Sequence, residues 1–454
     1  MAKGKHHRKT LEEVDPVTSF APDETIVLES GQSIYLDEGD PPGAIGAFGD
    51  NASVIVEHGA RITGTRPGDV GILSAGADSE IRISGDMVFE GAQSTAASIR
   101  DGEITLDGEI EMSGAGSSGL VLNRPTAFAT IERQGELTVS GDSSSAVFAL
   151  RAGGFANHGS IEASGVYSTA IFAGDGPVEN TGRIEVSGDG SSGIYASGAT
   201  SIVNSGRIEA SGEALAPTFG NTGSAAGILL NWDGAVVTNS GRISSEHGAG
   251  IEVDPGTGLD LFGFPPPPAG TTNTIINESH GRISGEVGIQ GSDYIEVVEN
   301  AGRIEGDILL GGGDDTYTVS GNGRVDGVVD GGAGDDVIIA DRGRDTLLGG
   351  EGNDVLSGGK SRDVLDGGAG DDVLTGGQGR DLFIYSGGND TITDFGRNDE
   401  LELEGFDLDD AEMEVVGNDI VYTFSEGNSL TLEGAANSHS YASQYEPADM
   451  MEMA

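Results

Sequence analysis

A nine-residue repeat near the end of the chain limits the possible folds more than any other feature. Eight consecutive units run from Gly331 to Glu402, and the first reads GGAGDDVII. The sixth position is aspartate in every unit, and the eighth is always apolar. The segment G-G-x-G-x-D suits a tight turn, because glycine accepts positive φ without a Cβ clash. The last three residues suit a short strand with its middle side chain inward. Two units therefore predict one 18-residue turn of a parallel β-roll.

The aspartates of alternate units should form two columns, one on each edge of the roll. The first column holds Asp336, Asp354, Asp372 and Asp390, and the second holds Asp345, Asp363, Asp381 and Asp399. Neighbouring turns lie about 4.8 Å apart, so adjacent carboxylates repel by roughly 3–4 kcal/mol at an effective dielectric of 20. Calcium prefers carboxylate and carbonyl oxygens. The sequence therefore predicts Ca²⁺ sites between the turns, with folding coupled to binding. Besides the two columns, the predicted metal-site residues are the turn glycines Gly331, Gly349, Gly358, Gly367 and Gly376.

Some units depart from the repeat, and weaker or empty sites are expected there. Ala340 and Asp341 replace the first glycine pair, Ser361 replaces a turn glycine, and Asp394–Phe395 interrupts the last unit. Upstream, LLGGGDDTYTV from Leu309 has the same motif with one residue missing. Whether Asp314 and Asp315 form an additional, irregular calcium site is left open.

A longer repeat occupies the preceding part of the chain. It reads VENTGRIEVSG from Val178 and IVNSGRIEASG from Ile202, and its short spacings are 23 or 24 residues. Short alternating strands separated by Gly/Ser turns suit the coils of a parallel β-helix, which bury a continuous core only when they stack. The recurring asparagine is predicted to point inward as a hydrogen-bonded ladder, and the following arginine outward. The ladder asparagines are Asn157, Asn180, Asn204, Asn239, Asn277 and Asn300.

Both repeats are similar to those of known families. From Gly331 to Ile384, and more loosely to Glu402, the sequence closely resembles the calcium-binding nonapeptides of RTX (hemolysin-type) proteins. Residues 46–310 resemble the β-solenoid repeats of autotransporter and adhesin-like proteins of bacteria. The RTX resemblance implies a secreted, extracellular protein that leaves the cell through type I secretion machinery by means of an uncleaved C-terminal signal.

Charge and composition restrict the partners. The 454 residues include 75 Asp and Glu against 23 Lys and Arg, so the net charge is −52. Such a chain is repelled by nucleic acid and by anionic membranes, and we expect no nucleic-acid partner and no membrane insertion. The absence of cysteine excludes thiolate metal sites, disulfides and cysteine nucleophiles. The basic start MAKGKHHRKT is followed by acidic residues rather than an apolar segment, so no cleavable N-terminal export signal is expected.

These observations predict an all-β protein, a right-handed parallel β-helix that continues into a parallel β-roll. The predicted divisions are a polar, partly disordered segment at 1–45, the β-helix at 46–310, the calcium-binding roll at 311–402, and a C-terminal cap with the secretion signal at 403–454. In the last segment, VYTFSEGNSLTLEGAA from Val421 suggests a hairpin.

Two functional classes remain open. The first is a secreted calcium-binding protein whose roll folds outside the cell and presents the β-helix as a structural or adhesive surface. The alternative is a polysaccharide-active enzyme, a uronate epimerase or lyase, with a cell-surface or matrix polysaccharide as partner in either case. A row of arginines could bind a uronate polymer, and His247 with Asp254 is the best candidate catalytic pair. The row comprises Arg183, Arg207, Arg242, Arg282 and Arg303. No catalytic residue is predicted, because neither a hydrolase elbow nor a zinc-protease motif occurs.

Overall fold

The structure is a computed structural model that describes residues 7–10, 17–19, 21–36, 43–198, 200–215, 225–231, 234–254, 270–424 and 427–437. In these ranges the chain forms β-strands, with short 3-10 helices at Leu408–Asp410 and Ala435–Asn437 and no α-helix. The predicted all-β class, β-helix with β-roll, is confirmed. Over the same ranges, no helix has the length and apolar character needed to cross a membrane.

The chain divides into two compact units. The first contains residues 1–268 and 281–286, and the second contains residues 269–280 and 287–454. Strand Arg282–Ser292 contributes residues to both units. Residues 255–269 and the residues after Asn437 lie outside the described residues.

The first unit has three strands in each coil, and each strand pairs in parallel with its equivalents in the neighbouring coils. Stacked strands are already present upstream of residue 46, where Glu24–Leu28 pairs with Ser53–Val56. Face 1 consists of His7–Thr10, Glu24–Leu28, Ser53–Val56, Ser79–Ile83, Gly102–Leu106, Ala127–Ile131, Gly154–Asn157, Val178–Asn180, Ser201–Asn204 and Val236–Asn239. Face 2 consists of Ser33–Leu36, Arg61–Gly64, Asp86–Phe89, Glu109–Met112, Glu136–Val139, Ser160–Ala163, Arg183–Val186, Arg207–Ala210 and Arg242–Ser245. Face 3 consists of Val17–Ser19, Gly43–Ala47, Val70–Ser74, Thr95–Ile99, Ser118–Leu122, Ser145–Arg151, Thr169–Asp175, Ser192–Ala196, Ile228–Asn231 and Ala249–Asp254.

The core of the first unit is built from stacked identical or similar side chains. On face 2, an inward apolar residue from every coil lies in register with the next, as in Ile161, Ile184 and Ile208, all fully buried. The predicted asparagine ladder is confirmed: the Asn157 side-chain amide donates to Asn180 Oδ1 at 2.8 Å, and Asn180 donates to Asn204 at 2.7 Å. Neutral amides therefore satisfy one another inside this unit, with no charge in the column.

The second unit has two principal faces. The first of them comprises Thr272–Asn277, Ile295–Asn300, Thr316–Val319, Val337–Ile339, Val355–Ser361, Val373–Gly379 and Asn389–Ile392. The other comprises Arg303–Gly312, Arg324–Asp326, Val328–Ala333, Thr346–Glu351, Val364–Ala369, Leu382–Tyr385 and Glu400–Leu403. All of these strands run parallel to their neighbours.

An antiparallel meander ends the second unit. The hairpin predicted from Val421 is confirmed, since Asp419–Thr423 pairs antiparallel with Ser429–Leu432 and also with Glu412–Val416. Ser429–Leu432 pairs in parallel with Asn389–Ile392 of the last regular coil. It thereby covers a strand edge that would otherwise be open to association.

Candidate metal centre

Strand alternation brings the aspartates of the nonapeptides to the inside of their turns. The eighth residue of a unit points into the core, as Leu347, Leu356 and Leu365 do with no exposed surface. Side chains two positions apart lie on the same face of a strand, so the aspartate at position six also faces inward. Asp336 and Asp363 are fully buried, and Asp354 is 1% exposed.

The first carboxylate column is held by a ladder of hydrogen bonds between coils. The backbone N–H of Asp336 donates to Oδ1 of Asp354 at 2.7 Å, and that of Asp354 donates to Oδ1 of Asp372 at 2.8 Å. Asp372 continues the ladder to Asp390 at 3.1 Å. One oxygen of each acceptor carboxylate is thus fixed by the preceding coil.

The second column repeats this arrangement on the opposite edge of the roll. Asp345 N–H donates to Oδ1 of Asp363 at 2.9 Å, and Asp363 N–H donates to Oδ1 of Asp381 at 3.0 Å. The bond from Asp381 to Asp399, at 2.9 Å, completes the column. The structure therefore brings all eight predicted aspartates together in the two predicted columns.

The second carboxylate oxygen, Oδ2, of most column members lacks a hydrogen-bond partner although it is buried. This holds for Asp336, Asp345, Asp354, Asp363 and Asp372. A buried ionised oxygen without a partner is strongly unfavourable. These atoms therefore require either a proton or a cation.

The first glycine of each unit leaves room for the oxygen of its own aspartate. A Cβ on Gly331 would lie 2.2 Å from Oδ2 of Asp336 and 2.7 Å from the carbonyl oxygen of Gly349. A Cβ on Gly349 would lie 2.3 Å from Oδ2 of Asp354 and 2.4 Å from the carbonyl oxygen of Gly367. Gly358, Gly367 and Gly376 border the Oδ2 atoms of their aspartates in the same way. A carboxylate and a turn carbonyl thus converge on each space, which is the oxygen set that calcium prefers.

Carbonyl ligands are required, because side chains alone do not make a site. Among the described residues, no three His, Asp or Glu side chains converge as a metal-binding group. Two aspartates from neighbouring coils and the glycine carbonyls between them would hold the ion. The individual ligand assignments to Gly331, Gly349, Gly358, Gly367 and Gly376 stay predictions.

Burial raises the pKa values of seven column carboxyls, and like-charged neighbours raise them further: Asp336, Asp345, Asp354, Asp363, Asp372, Asp381 and Asp390. The pKa rises to about 7 for Asp354 and Asp345, to about 6 for Asp336 and Asp363, and to about 8 for Asp390. Loss of hydration is the larger cause, and the charge of the adjacent column member adds to it at Asp345 and Asp390. A bound divalent cation would reverse this preference and favour the charged carboxylates.

The comparison with protein families agrees with this chemistry. Residues 330–365 and 357–392 match the family model of the RTX calcium-binding nonapeptide repeat. Residues 330–392 are RTX repeats. RTX repeats bind calcium, and the predicted cofactor is therefore confirmed. None of the curated proteins compared with the chain matches it.

The irregular RTX units have identifiable local consequences. Ser361 occupies a glycine position at φ +93°, where a side chain is strained. Asp394, which replaces a glycine, accepts hydrogen bonds from the N–H groups of Gly376 and Gly377 at 2.9 and 2.7 Å. Asp399 accepts from the N–H of Gly396 with Oδ2, at 2.7 Å. Oδ2 of Asp399 therefore already has a hydrogen-bond partner, whereas Oδ2 of most earlier column members has none.

Of the two upstream aspartates, Asp315 joins the first column. Its N–H donates to Oδ1 of Asp336 at 2.7 Å, and the side chain is 1% exposed. Asp314 is exposed, and its Oδ1 accepts from the N–H of Asp335 at 3.1 Å. Only Asp315 therefore has the position of an RTX aspartate.

The two edges of the RTX roll differ in charge. The nine-residue period does not show this difference, because successive units belong to opposite edges. On the first edge the fifth position is acidic or an amide, and Asn353 N–H donates to Oδ1 of Asp335 at 2.8 Å. On the second edge the same position is Arg344, Arg362 or Arg380 in the first three units, all exposed, and Asn398 in the last. Lys360 stands at position three of this edge and pairs with Asp341 at 3.5 Å. Every lysine and arginine between residues 331 and 402 lies on the second edge.

We expect calcium to bind the second column more weakly than the first, because these cations repel it. Replacing one exposed arginine, Arg344→Gln, should strengthen the weaker class of sites about 2–5-fold, as expected for a screened charge beside a divalent ion. Calorimetric titration that resolves the two classes measures this. Arg324→Gln, an exposed arginine outside the repeats, is the matched control. A single class of sites, or an equal change in both variants, would contradict the expectation.

Among the described residues, the β-helix candidates are spread over successive coils. Arg183, Arg207 and Arg242 are exposed and in register, and Arg183 and Arg207 form ion pairs with Glu185 and Glu209. His247 lies just after strand Arg242–Ser245, with its Nε2 4.0 Å from Oε1 of Glu246. The side chain of Asp254 lies outside the described residues, so the predicted pair with His247 stays a prediction.

Proposed function

We propose that the protein is a secreted, calcium-dependent structural or adhesive component, whose RTX roll folds after export and whose β-helix provides the contact surface. The observation that carries this proposal is the set of buried Oδ2 atoms without partners, typified by Asp354 and Asp372. Where calcium is scarce, as in a cytosol, the roll is destabilised and can stay unfolded as it enters type I secretion machinery. Where calcium is plentiful, binding to the native state stabilises it.

The surface of the β-helix supports a contact role. A groove of about 530 Å³ on face 2 follows successive coils, and its charged lining residues are four glutamates and one arginine: Glu162, Glu185, Glu209, Glu246 and Arg242. The adjacent arginines Arg183 and Arg207 are engaged by Glu185 and Glu209. A regular column of alternating charges suits repeated, shallow recognition rather than one pocket.

The acidic groove speaks against a uronate-processing enzyme. A uronate polymer carries one carboxylate per sugar, and the four glutamates of the groove, which outnumber its single arginine, Arg242, would repel it. Such an enzyme also needs an acid and a base on one groove, and the groove lining contains no histidine among the described residues. A surface polysaccharide partner would therefore bind elsewhere, or through calcium.

The test follows the protein from the producing cell to its surface. Cells carrying a type I exporter should release the full chain into the medium, and removal of the exporter should retain it inside. In medium with calcium, the released protein should attach to the cell surface, and chelator should detach it. Export that is independent of the exporter would overturn the secretion route, whereas attachment unaffected by calcium would overturn the adhesive role.

A further inference from the structure

The turn that precedes the RTX match by two coils has the RTX arrangement without the RTX sequence. Val297 pairs in register with Thr316, so Glu296 stands beside Asp315 in the way that Asp315 stands beside Asp336. A Cβ on Gly311 would lie 2.2 Å from the carbonyl oxygen of Ser292, and one on Gly313 would lie 2.3 Å from that of Tyr294. In the RTX turn, a Cβ on Gly332 would lie 2.0 Å from the carbonyl oxygen of Gly311, and one on Gly334 would lie 1.9 Å from that of Gly313. The segment GSDYIE at 291–296 therefore occupies the place of G-G-x-G-x-D.

Glu296 has the hydrogen bonds of a column member. Its backbone N–H donates to Oδ1 of Asp315 at 2.7 Å. Its Oε1 accepts from the Ser292 hydroxyl at 2.7 Å and from the Asn273 amide at 3.3 Å. Its second oxygen, Oε2, is buried without a partner, as is Oδ2 of Asp315. Glu296 is fully buried and Asp315 is 1% exposed.

The column has a defined end on each side. Upstream of Glu296, the residue in register is Asn273, which is a neutral amide. Downstream of Asp390, the residue in register is Leu430, which is apolar. The carboxylates are therefore six in unbroken succession: Glu296, Asp315, Asp336, Asp354, Asp372 and Asp390.

We propose that Glu296 and Asp315 form an additional calcium site, built between two coils that lie outside the RTX match at residues 330–392. Two buried, unpartnered carboxylate oxygens belong to residues that lie side by side on neighbouring coils. The carbonyls of Ser292 and Tyr294 lie against the next turn and supply further hard oxygen ligands. The proposal rests on calcium binding by the RTX repeats only in the choice of ion, because its residues are different.

The test counts bound ions on the full chain by equilibrium dialysis against radioactive calcium. Glu296→Gln keeps the size of the side chain and should bind one ion fewer than the unmodified protein. Asp293→Asn removes an exposed charge from the same turn and should bind the unmodified number. An unchanged count in Glu296→Gln would overturn the proposal and leave the pair neutralised by a proton. A loss of one ion in both variants would also overturn it, since charge alone would then explain the loss.

A second measurement needs no variant and decides the case if Glu296→Gln does not fold. Crystals of the unmodified chain soaked with a lanthanide should show an anomalous peak bonded to the Glu296 and Asp315 carboxylates. Peaks confined to Asp336 and the later column members would overturn the proposal. In that outcome the ions of the RTX repeats would still be counted, so failure of this site is distinguishable from failure of calcium binding itself.

Discussion

Chelation of calcium at pH 8 should unfold the RTX roll and leave the β-helix coils of the first unit folded. At pH 8, which lies above the raised pKa values of Asp345 and Asp354, both about 7, and of Asp336 and Asp363, both about 6, these four carboxyls are charged, buried and without counter-ions. Adjacent charges about 4.8 Å apart then repel by roughly 3–4 kcal/mol at an effective dielectric of 20. The repulsion summed over several such contacts exceeds the ordinary free energy of unfolding of a domain, which is about 5–15 kcal/mol.

Hydrogen exchange followed by mass spectrometry measures this for each segment. In chelator, peptides from 331–402 should exchange at the rate of an unfolded chain, whereas peptides from 79–210 should keep their protection. The latter coils serve as the internal control, because neutral asparagines such as Asn180 and Asn204 satisfy their inner column. Full protection of the roll without calcium would refute the proposed coupling between folding and binding.

Lowering the pH should stabilise the calcium-free roll, because protons then neutralise the column carboxylates in place of calcium. A carboxyl whose pKa is higher in the folded state than in the unfolded state binds more protons when folded. Its stabilising contribution is therefore complete below the unfolded pKa, near 4, and is lost as the pH rises through the folded pKa. With folded values of about 6 for Asp336 and about 8 for Asp390, the calcium-free roll should lose stability between pH 4 and pH 8. Calcium affinity should rise over the same interval, because calcium and protons compete.

The two repeats made much of the fold predictable. Alternation within GRIEVSG places Ile184 inside and Arg183 outside, and the structure agrees. A constant aspartate at position six gives both columns directly, because two nine-residue units fill one 18-residue coil and residues 18 apart lie in register. Which carboxylate oxygen of each aspartate accepts the N–H of the preceding coil depends on backbone geometry that the sequence pattern does not specify.

Two features of the metal centre escaped prediction for different reasons. The difference in charge between the edges is present in the sequence, since position five is Asp335 in one unit and Arg344 in the next. Aligning all units on a nine-residue period mixes the units of the two edges, so the difference is not seen. Glu296 carries no recognisable motif, because its turn lacks the glycine pair and lies 19 residues before Asp315 instead of 18. The pairing of Val297 with Thr316 and the hydrogen bond from the Glu296 N–H to Asp315 show its place in the column.

The alanine variant of a site glycine, Gly349→Ala, should destabilise the calcium-loaded roll by about 2–4 kcal/mol, more than usual for so small a side chain. The new Cβ would lie 2.3 Å from Oδ2 of Asp354 and 2.4 Å from the Gly367 carbonyl oxygen. Relief requires the carboxylate to turn away from the space between coils, so calcium is lost together with packing. Urea unfolding of the roll in saturating calcium gives the change in free energy, and dialysis gives the number of ions.

The matched control for Gly349→Ala is Gly312→Ala, at a turn of the same unit. There the nearest atom to a new Cβ would be 3.6 Å away, and the residue in register in the next coil, Ala333, is already alanine. This substitution should change stability little and leave the ion count unchanged. If both variants lose the same stability, the effect comes from glycine flexibility in general. If Gly349→Ala alone loses stability and ions, the absent Cβ of the first glycine is what makes room for the calcium ligand.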